Sequence, residues 1–199
     1  MKILLFGLAG LVVVFTIIQV WMAVSQNNIE TYPYVVVEDY GDVQIRKYES
    51  SLFTAVKMPS NSYEKSSSNG FRVLAGYIFG GNQSNEKIAM TSPVSMSLED
   101  SMTMMFMVPK KYKDEDLPAP NDNAIQIVEQ PEKMMAVISF GGWANDKKIE
   151  RYRNILIKEL DEKSIAHTNR FYYFGYNPPY EVFNRKNEIA VELNDDVGL

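Results

Sequence analysis

The chain has 199 residues, a formal net charge of −5, no cysteine and a single histidine, His167. Without cysteine there are no disulfides, thiolate zinc sites or cysteine nucleophiles, and one imidazole cannot supply a two-histidine metal site. The acidic balance argues against a general nucleic-acid binder, which carries a basic stripe, and the length suits one domain with a small appendage.

Residues 3–24 are apolar except for Thr16 and Gln19. As a helix this run extends roughly 33 Å, enough to cross a bilayer core of about 30 Å. Residues 1–25 therefore read as a transmembrane anchor, longer than the apolar region of an ordinary signal peptide. Ala23-Val24-Ser25 offers a cleavage site for the alternative, a removed signal. Trp21 suits the interface belt. Lys2 before the run, with Glu30 and Glu38 after it, places the amino end in the cytoplasm and the remainder outside. A cleaved segment would instead give a secreted protein. Residues 26–34 are a linker.

Residues 35–199 read as one α+β domain. Val35-Val36-Val37 is a strand candidate and Gly41-Asp42 a turn. Val43, Ile45 and Lys47 alternate with Gln44, Arg46 and Tyr48, as in a half-buried strand. Residues 52–58 form another strand. Residues 61–69 are polar and serine-rich, either a loop or the first turns of a helix over residues 70–79. In that helix Phe71, Leu74, Ala75 and Ile78 recur at helical spacing. Gly80-Gly81 ends it, because glycine takes a left-handed backbone without steric cost. Residues 87–90 look like a strand ended by Ser92-Pro93. Residues 94–98 and 102–108 form a hairpin. There, alternation sends Met102, Met104 and Phe106 to one face and Met105 and Met107 to the other, a pattern that fits core packing better than metal ligation. Residues 110–123 are a loop. Residues 125–129 and 134–140 are strands around a Pro131 turn. Residues 147–163 form the clearest helix, with Ile149, Tyr152, Leu156 and Leu160 in one stripe and Asn145 or Asp146 as its cap. An aromatic strand (171–176), the turn Asn177-Pro178-Pro179 and a last strand (189–193) complete the chain.

The two halves share a plan of strands, a helix, a proline-interrupted strand and a final strand. Residues 43–58 correspond to 125–140, the two helices to each other, and Thr91-Ser92-Pro93-Val94 to Asn177-Pro178-Pro179-Tyr180. This predicts a twisted, largely antiparallel sheet or distorted β-barrel built from two pseudo-repeats with two long helices.

Gly-x-Ser-x-Gly, phosphate-loop and dinucleotide motifs are absent. His167, in Ala166-His167-Thr168-Asn169, reads as a turn histidine. Asn82-Gln83-Ser84 fits a glycosylation acceptor. In Arg185-Lys186-Asn187-Glu188 an arginine fork suits a carboxylate ligand, yet a turn with Glu188 paired internally is the stronger reading.

Several of these segments resemble the SOUL/haem-binding protein family. They are the helix ending at Gly80-Gly81-Asn82, followed by Lys87-Ile88-Ala89-Met90-Thr91-Ser92-Pro93-Val94. To these add Tyr40 to Tyr48, Phe140-Gly141-Gly142, Tyr176 to Pro179 and Arg185 to Glu188, all in the family's order. The resemblance implies non-covalent binding of haem or a related tetrapyrrole, without turnover and without an obligatory iron ligand. It places the ligand against the first helix, at Phe71, Arg72, Leu74, Ala75, Tyr77 and Ile78. The basic residues that some relatives carry there fall at Asn69 and Tyr77 here, leaving Arg72 as the one basic residue on the helix. Two other functions stay open: an enzyme acting on a small amphipathic molecule through Glu38, Glu49 or Glu188, and an interaction module without a ligand.

Overall fold

The computed structural model describes residues 29–99, 101–178 and 180–194, and Val14. The segment read as an anchor thus lies outside the described residues, Val14 excepted. Among the described residues no helix is long and apolar enough to cross a membrane.

Nine strands and two long helices follow in the order β1 (Tyr34–Asp39), β2 (Val43–Tyr48), β3 (Ser51–Lys57), α1 (Tyr63–Ile78), β4 (Val94–Ser97), β5 (Thr103–Met107), β6 (Ile125–Gln130), β7 (Lys133–Gly141), α2 (Asp146–Glu162), β8 (His167–Gly175) and β9 (Lys186–Leu193). All nine strands join one antiparallel sheet in the order β1-β2-β7-β9-β8-β4-β5-β3-β6. The sheet curls into a half-barrel with β1 and β6 at its two edges, so it is open rather than closed.

The strand order contains the internal repeat. Exchanging β2, β3, β4 and β5 for β6, β7, β8 and β9 turns the order from β2 to β6 into its own reverse. The matching of residues 43–58 with 125–140 therefore holds. The two arms cross between the halves. β2 and β3 are consecutive but do not pair: β2 pairs with β7 and β3 with β6. β6 and β7 likewise do not pair with each other across the Pro131 turn. The proposed equivalence of the two proline elements fails. Ser92-Pro93 precedes β4, whereas Asn177-Pro178 follows β8. The two elements are neighbours instead, because antiparallel pairing sets Val94 opposite Gly175.

The helices cover one face of the sheet. Beneath them lie Val43, Ile45, Leu74, Met104, Ile138, Leu156, Leu160, Phe171 and Ile189. The other face carries a second cluster that includes Tyr32, Tyr48, Phe53, Met105, Met107, Met135, Tyr172 and Phe174. The methionine-rich strand β5 divides between the clusters as its alternation predicts. Both faces of β2 are buried, however. Arg46 and Tyr48 are as enclosed as Ile45, and only Lys47 is exposed. Residues 87–90 form no strand. Instead, Ile88 donates its N–H to the Ile78 carbonyl at the end of α1, at 2.8 Å.

The serine-rich stretch is the first part of α1, which starts at Tyr63. Ser62 caps it, accepting from the Lys65 N–H. A second cap comes from the other half of the chain. The Asp146 carboxylate accepts from the Ser62 hydroxyl and from the Tyr63 N–H, each at 2.6 Å. Asp146 is itself in the first turn of α2, so the positive ends of both helices share one carboxylate. Replacing it leaves the Tyr63 N–H and the Ser62 hydroxyl without their acceptor. Asp146→Ala is expected to lower the unfolding free energy by about 1–2 kcal/mol, read from urea midpoints, and Ser62→Ala in the same background to lower it further, because the Lys65 N–H then loses its acceptor.

α1 packs closely at Gly70, where a Cβ would lie 2.7 Å from the Met58 sulfur. It ends in a Schellman turn: Gly81 donates to the Gly76 carbonyl at 2.8 Å and Gly80 to Tyr77 at 3.2 Å. Gly80 has φ +109°, the left-handed geometry its position foretold.

Candidate functional site

The residues expected to face a ligand on the first helix divide into two sets. Leu74, Ala75, Tyr77 and Ile78 point into the core under α1. The Tyr77 hydroxyl donates to the Pro118 carbonyl at 2.9 Å. Phe71 is half-buried, edge-on to Phe106 with ring centroids 5.3 Å apart. Arg72 alone of the six is exposed, its guanidinium donating to the Asn69 side-chain oxygen at 2.7 Å.

The outward face of α1 carries a different set. Because the helix begins at Tyr63, Lys65 lies on it too, so Arg72 is not its only basic residue. Lys65, Arg72 and Phe79 are seven residues apart and all exposed, which puts them on one line along the helix. Lys65 and Arg72 are two turns, about 10 Å, apart along the axis. Between Arg72 and Phe79 lies Gly76, where an added Cβ would meet nothing within 4 Å. Phe79, at the helix end, is 63 % exposed. The stripe thus offers two cations, a bare stretch of backbone and a free aromatic ring. Sequence reasoning followed the apolar face and missed it. The seven-residue spacing of Lys65, Arg72 and Phe79 was the available signal.

The stripe contains no histidine or methionine, so it supplies no iron ligand. His167 opens β8 instead, half-buried, its Nδ1 2.6 Å from the Thr168 carbonyl and its ring edge-on to Phe171. These residues fit a carboxylate-bearing planar ligand held by charge and ring contact rather than by coordination.

The uncovered sheet face holds two carboxylate networks. Glu188 is fully buried and accepts from both terminal nitrogens of Arg46 at 3.1 Å, from the Tyr176 hydroxyl at 2.6 Å and from Ser139 at 3.0 Å; Lys186 lies 3.0 Å away. Burial pushes the Glu188 carboxyl up, but the Arg46 charge, the Tyr176 hydroxyl and Lys186 outweigh it and hold it below the usual glutamate value. Burial together with Glu188 pushes the Tyr176 hydroxyl up. The internal pairing expected of Glu188 is thus present. Glu192 is held by Lys133, by the Tyr172 hydroxyl at 2.6 Å and by Arg170 at 3.4 Å. It too is pulled below the ordinary value against its burial. Beside this network opens a shallow groove of about 210 Å³ over β3, β4, β5, β6 and β8, bordered by Lys57, Glu99, Gln126 and Tyr172.

Asn82 does not present a glycosylation acceptor. Its amide is buried, donating to the Tyr77 and Glu86 carbonyls and accepting from the Glu86 N–H.

The sequence profile described as SOUL heme-binding protein matches residues 29–192. Among known proteins, the chain is 26 % identical to heme-binding protein 1 of Xenopus laevis over 152 residues, covering 72 % of this chain and 80 % of that one. It is 28 % identical to human heme-binding protein 2, covering 75 % of this chain and 77 % of that one. Among solved structures, the C-terminal domain of EcmrR superposes with a TM-score of 0.59 at 8 % identity, over 76 % of this chain and 96 % of that domain. A hydrolase from Listeria innocua gives 0.58 at 8 % identity, over 79 % and 94 %. At such identities these two likenesses speak for the fold alone. The family match spans every strand and both helices, with only the end of β9 beyond it, and the chain belongs to the SOUL heme-binding protein family.

Proposed function

We propose that the chain binds haem or a related tetrapyrrole reversibly and without a covalent bond, on the outward stripe of α1. The observation that carries this reading is the stripe itself, Lys65, Arg72, Gly76 and Phe79, in a member of this family. A porphyrin is a flat apolar plate with carboxylates on one edge. Gly76 lets the plate approach the helix backbone, Phe79 and the exposed part of Phe71 supply ring contact, and Arg72 and Lys65 meet the propionates. Leu74, Ala75, Tyr77 and Ile78 support the stripe from beneath. The carboxylates favour binding over turnover, since Glu188 and Glu192 are held ionised by cations and a general acid needs a raised value. In the same reading residues 1–25 anchor the domain to a membrane, with the globular part outside the cytoplasm.

A spectral titration of the chain starting at Asn27, which retains every strand and helix described, tests the site. Saturable haem binding with a Soret shift is expected at micromolar concentrations. Arg72→Ala is expected to weaken it about tenfold, the worth of one charge-assisted hydrogen bond. Gly76→Leu fills the bare stretch and is expected to abolish binding. The same change stabilises the fold by about 0.5–1 kcal/mol, because leucine is a better helix former and its Cβ meets open space. Wild-type affinity in Gly76→Leu would place the ligand elsewhere.

A further inference from the structure

One end of the domain exposes four large apolar side chains together: Trp143 (53 % exposed), Tyr180 (60 %), Val182 (44 %) and Phe183 (64 %). Trp143 follows β7, and the other three lie in the β8–β9 loop. Arg185 joins the two parts. Its guanidinium lies 3.9 Å over the Trp143 ring, and its carbonyl accepts from the Gly142 N–H. The same guanidinium donates to the carbonyls of Pro178, Glu181 and Asn177. The loop turns its polar backbone inward around Arg185 and its apolar side chains outward.

The chain enters the domain at this same end. The Ser92 N–H donates to the Glu30 carbonyl at 2.9 Å, and Thr31 bridges Ser92. The Ser92 hydroxyl reaches the carbonyl of Tyr176, where the β8–β9 loop begins. Only six residues separate Val24, the end of the apolar run, from Thr31, a reach of roughly 25 Å at most. A span ending at Val24 therefore leaves this end of the domain no room to stand far from the bilayer. Tryptophan, tyrosine and phenylalanine backed by Arg185, Lys186 and Lys148 are the side chains that partition into the headgroup region.

We propose that Trp143, Tyr180, Val182 and Phe183 form a membrane-seating surface that dips into the phospholipid interface and fixes the orientation of the domain on the bilayer. The inference rests on the anchor reading, and the test separates the two. The chain has two tryptophans, Trp21 in the apolar run and Trp143 in the surface. The full chain is reconstituted into phosphatidylcholine vesicles with and without brominated acyl chains, and tryptophan fluorescence is compared. In Trp21→Phe, Trp143 is the sole reporter; brominated lipid is expected to remove at least half of its emission, and adding Phe183→Glu is expected to restore most of it. In Trp143→Phe, quenching of Trp21 reports the anchor alone. Quenching of Trp21 with none of Trp143 overturns the seating surface and leaves the anchor standing. Quenching of neither overturns both.

Discussion

Arg46→Ala is expected to lower the unfolding free energy by about 3–5 kcal/mol, the cost of leaving a buried charge without its partner. Arg46 donates to Glu188 from both terminal nitrogens and bridges to Gln44, which in turn reaches Asp39. Removing it strands a fully buried carboxylate between Tyr176 and Ser139 with Lys186 as its remaining cation. The pair itself is worth far less than the loss. A double variant, Arg46→Met with Glu188→Gln, is therefore expected to recover most of the stability in urea unfolding. The pH dependence carries the sign. In the wild type Glu188 and Glu192 have depressed values in the folded state. Their contribution is fully present above the ordinary glutamate value of about 4.3 and is lost as the pH falls through the depressed folded values. In Arg46→Ala the desolvation of Glu188 loses its main counterweight, so the folded value rises. The deficit against wild type is then largest at neutral pH and shrinks on acidification. A deficit that stays constant between pH 7 and 4 would show that Arg46 acts through packing alone.

Leu74→Ala is expected to cost about 2–5 kcal/mol while leaving the ligand affinity of the folded protein unchanged. Leu74 is 0 % exposed, inside the cluster that joins α1 to the sheet. Its removal opens a cavity beneath the helix without touching the stripe. Calorimetry or urea unfolding gives the first quantity, and haem titration at a temperature where the variant remains folded gives the second. A large loss of affinity with little loss of stability would return Leu74 to the ligand site. Opposite behaviour is expected of Gly76→Leu, so the pair separates core from site on one helix.

Much of the fold was legible because the strands obey local rules. β3, β5 and β7 are rich in β-branched, aromatic and methionine side chains, and α2 shows one apolar stripe with Asn145 at its cap. What stayed hidden depends on distant partners. Nothing in the serine-rich run announces where the helix begins, since the Tyr63 N–H and the Ser62 hydroxyl at its start are met by Asp146, far along the chain. Arg46 looked like the exposed member of an alternating strand because its partner Glu188 lies in the last strand. Residues 87–90 have a strand's composition but pair with no strand. Local composition reports which side chains favour extended backbone, whereas the ladder is decided by the whole sheet. On α1 the apolar periodicity identified the face that is buried. The ligand surface proposed here is the part of the helix left over after packing, and Lys65, Gly76 and Phe79 have no apolar pattern to betray them.

The reversible strand order has a meaning for how such a molecule comes to exist. Two identical chains around a two-fold axis, each lending an arm to the other, produce the same crossed arrangement. Such a pair depends on encounter: dilute it, and each copy keeps its first strand without the partner that the other copy supplied. Joining the copies in one polypeptide replaces encounter by tethering, with the second half present at an effective concentration on the order of millimolar. The fused halves are then free to drift apart in detail. One has lengthened its last connection into an aromatic loop, and the other has set a cationic stripe on its helix. Identical subunits must carry every feature twice; here the seating surface and the ligand stripe proposed above each need to be made only once.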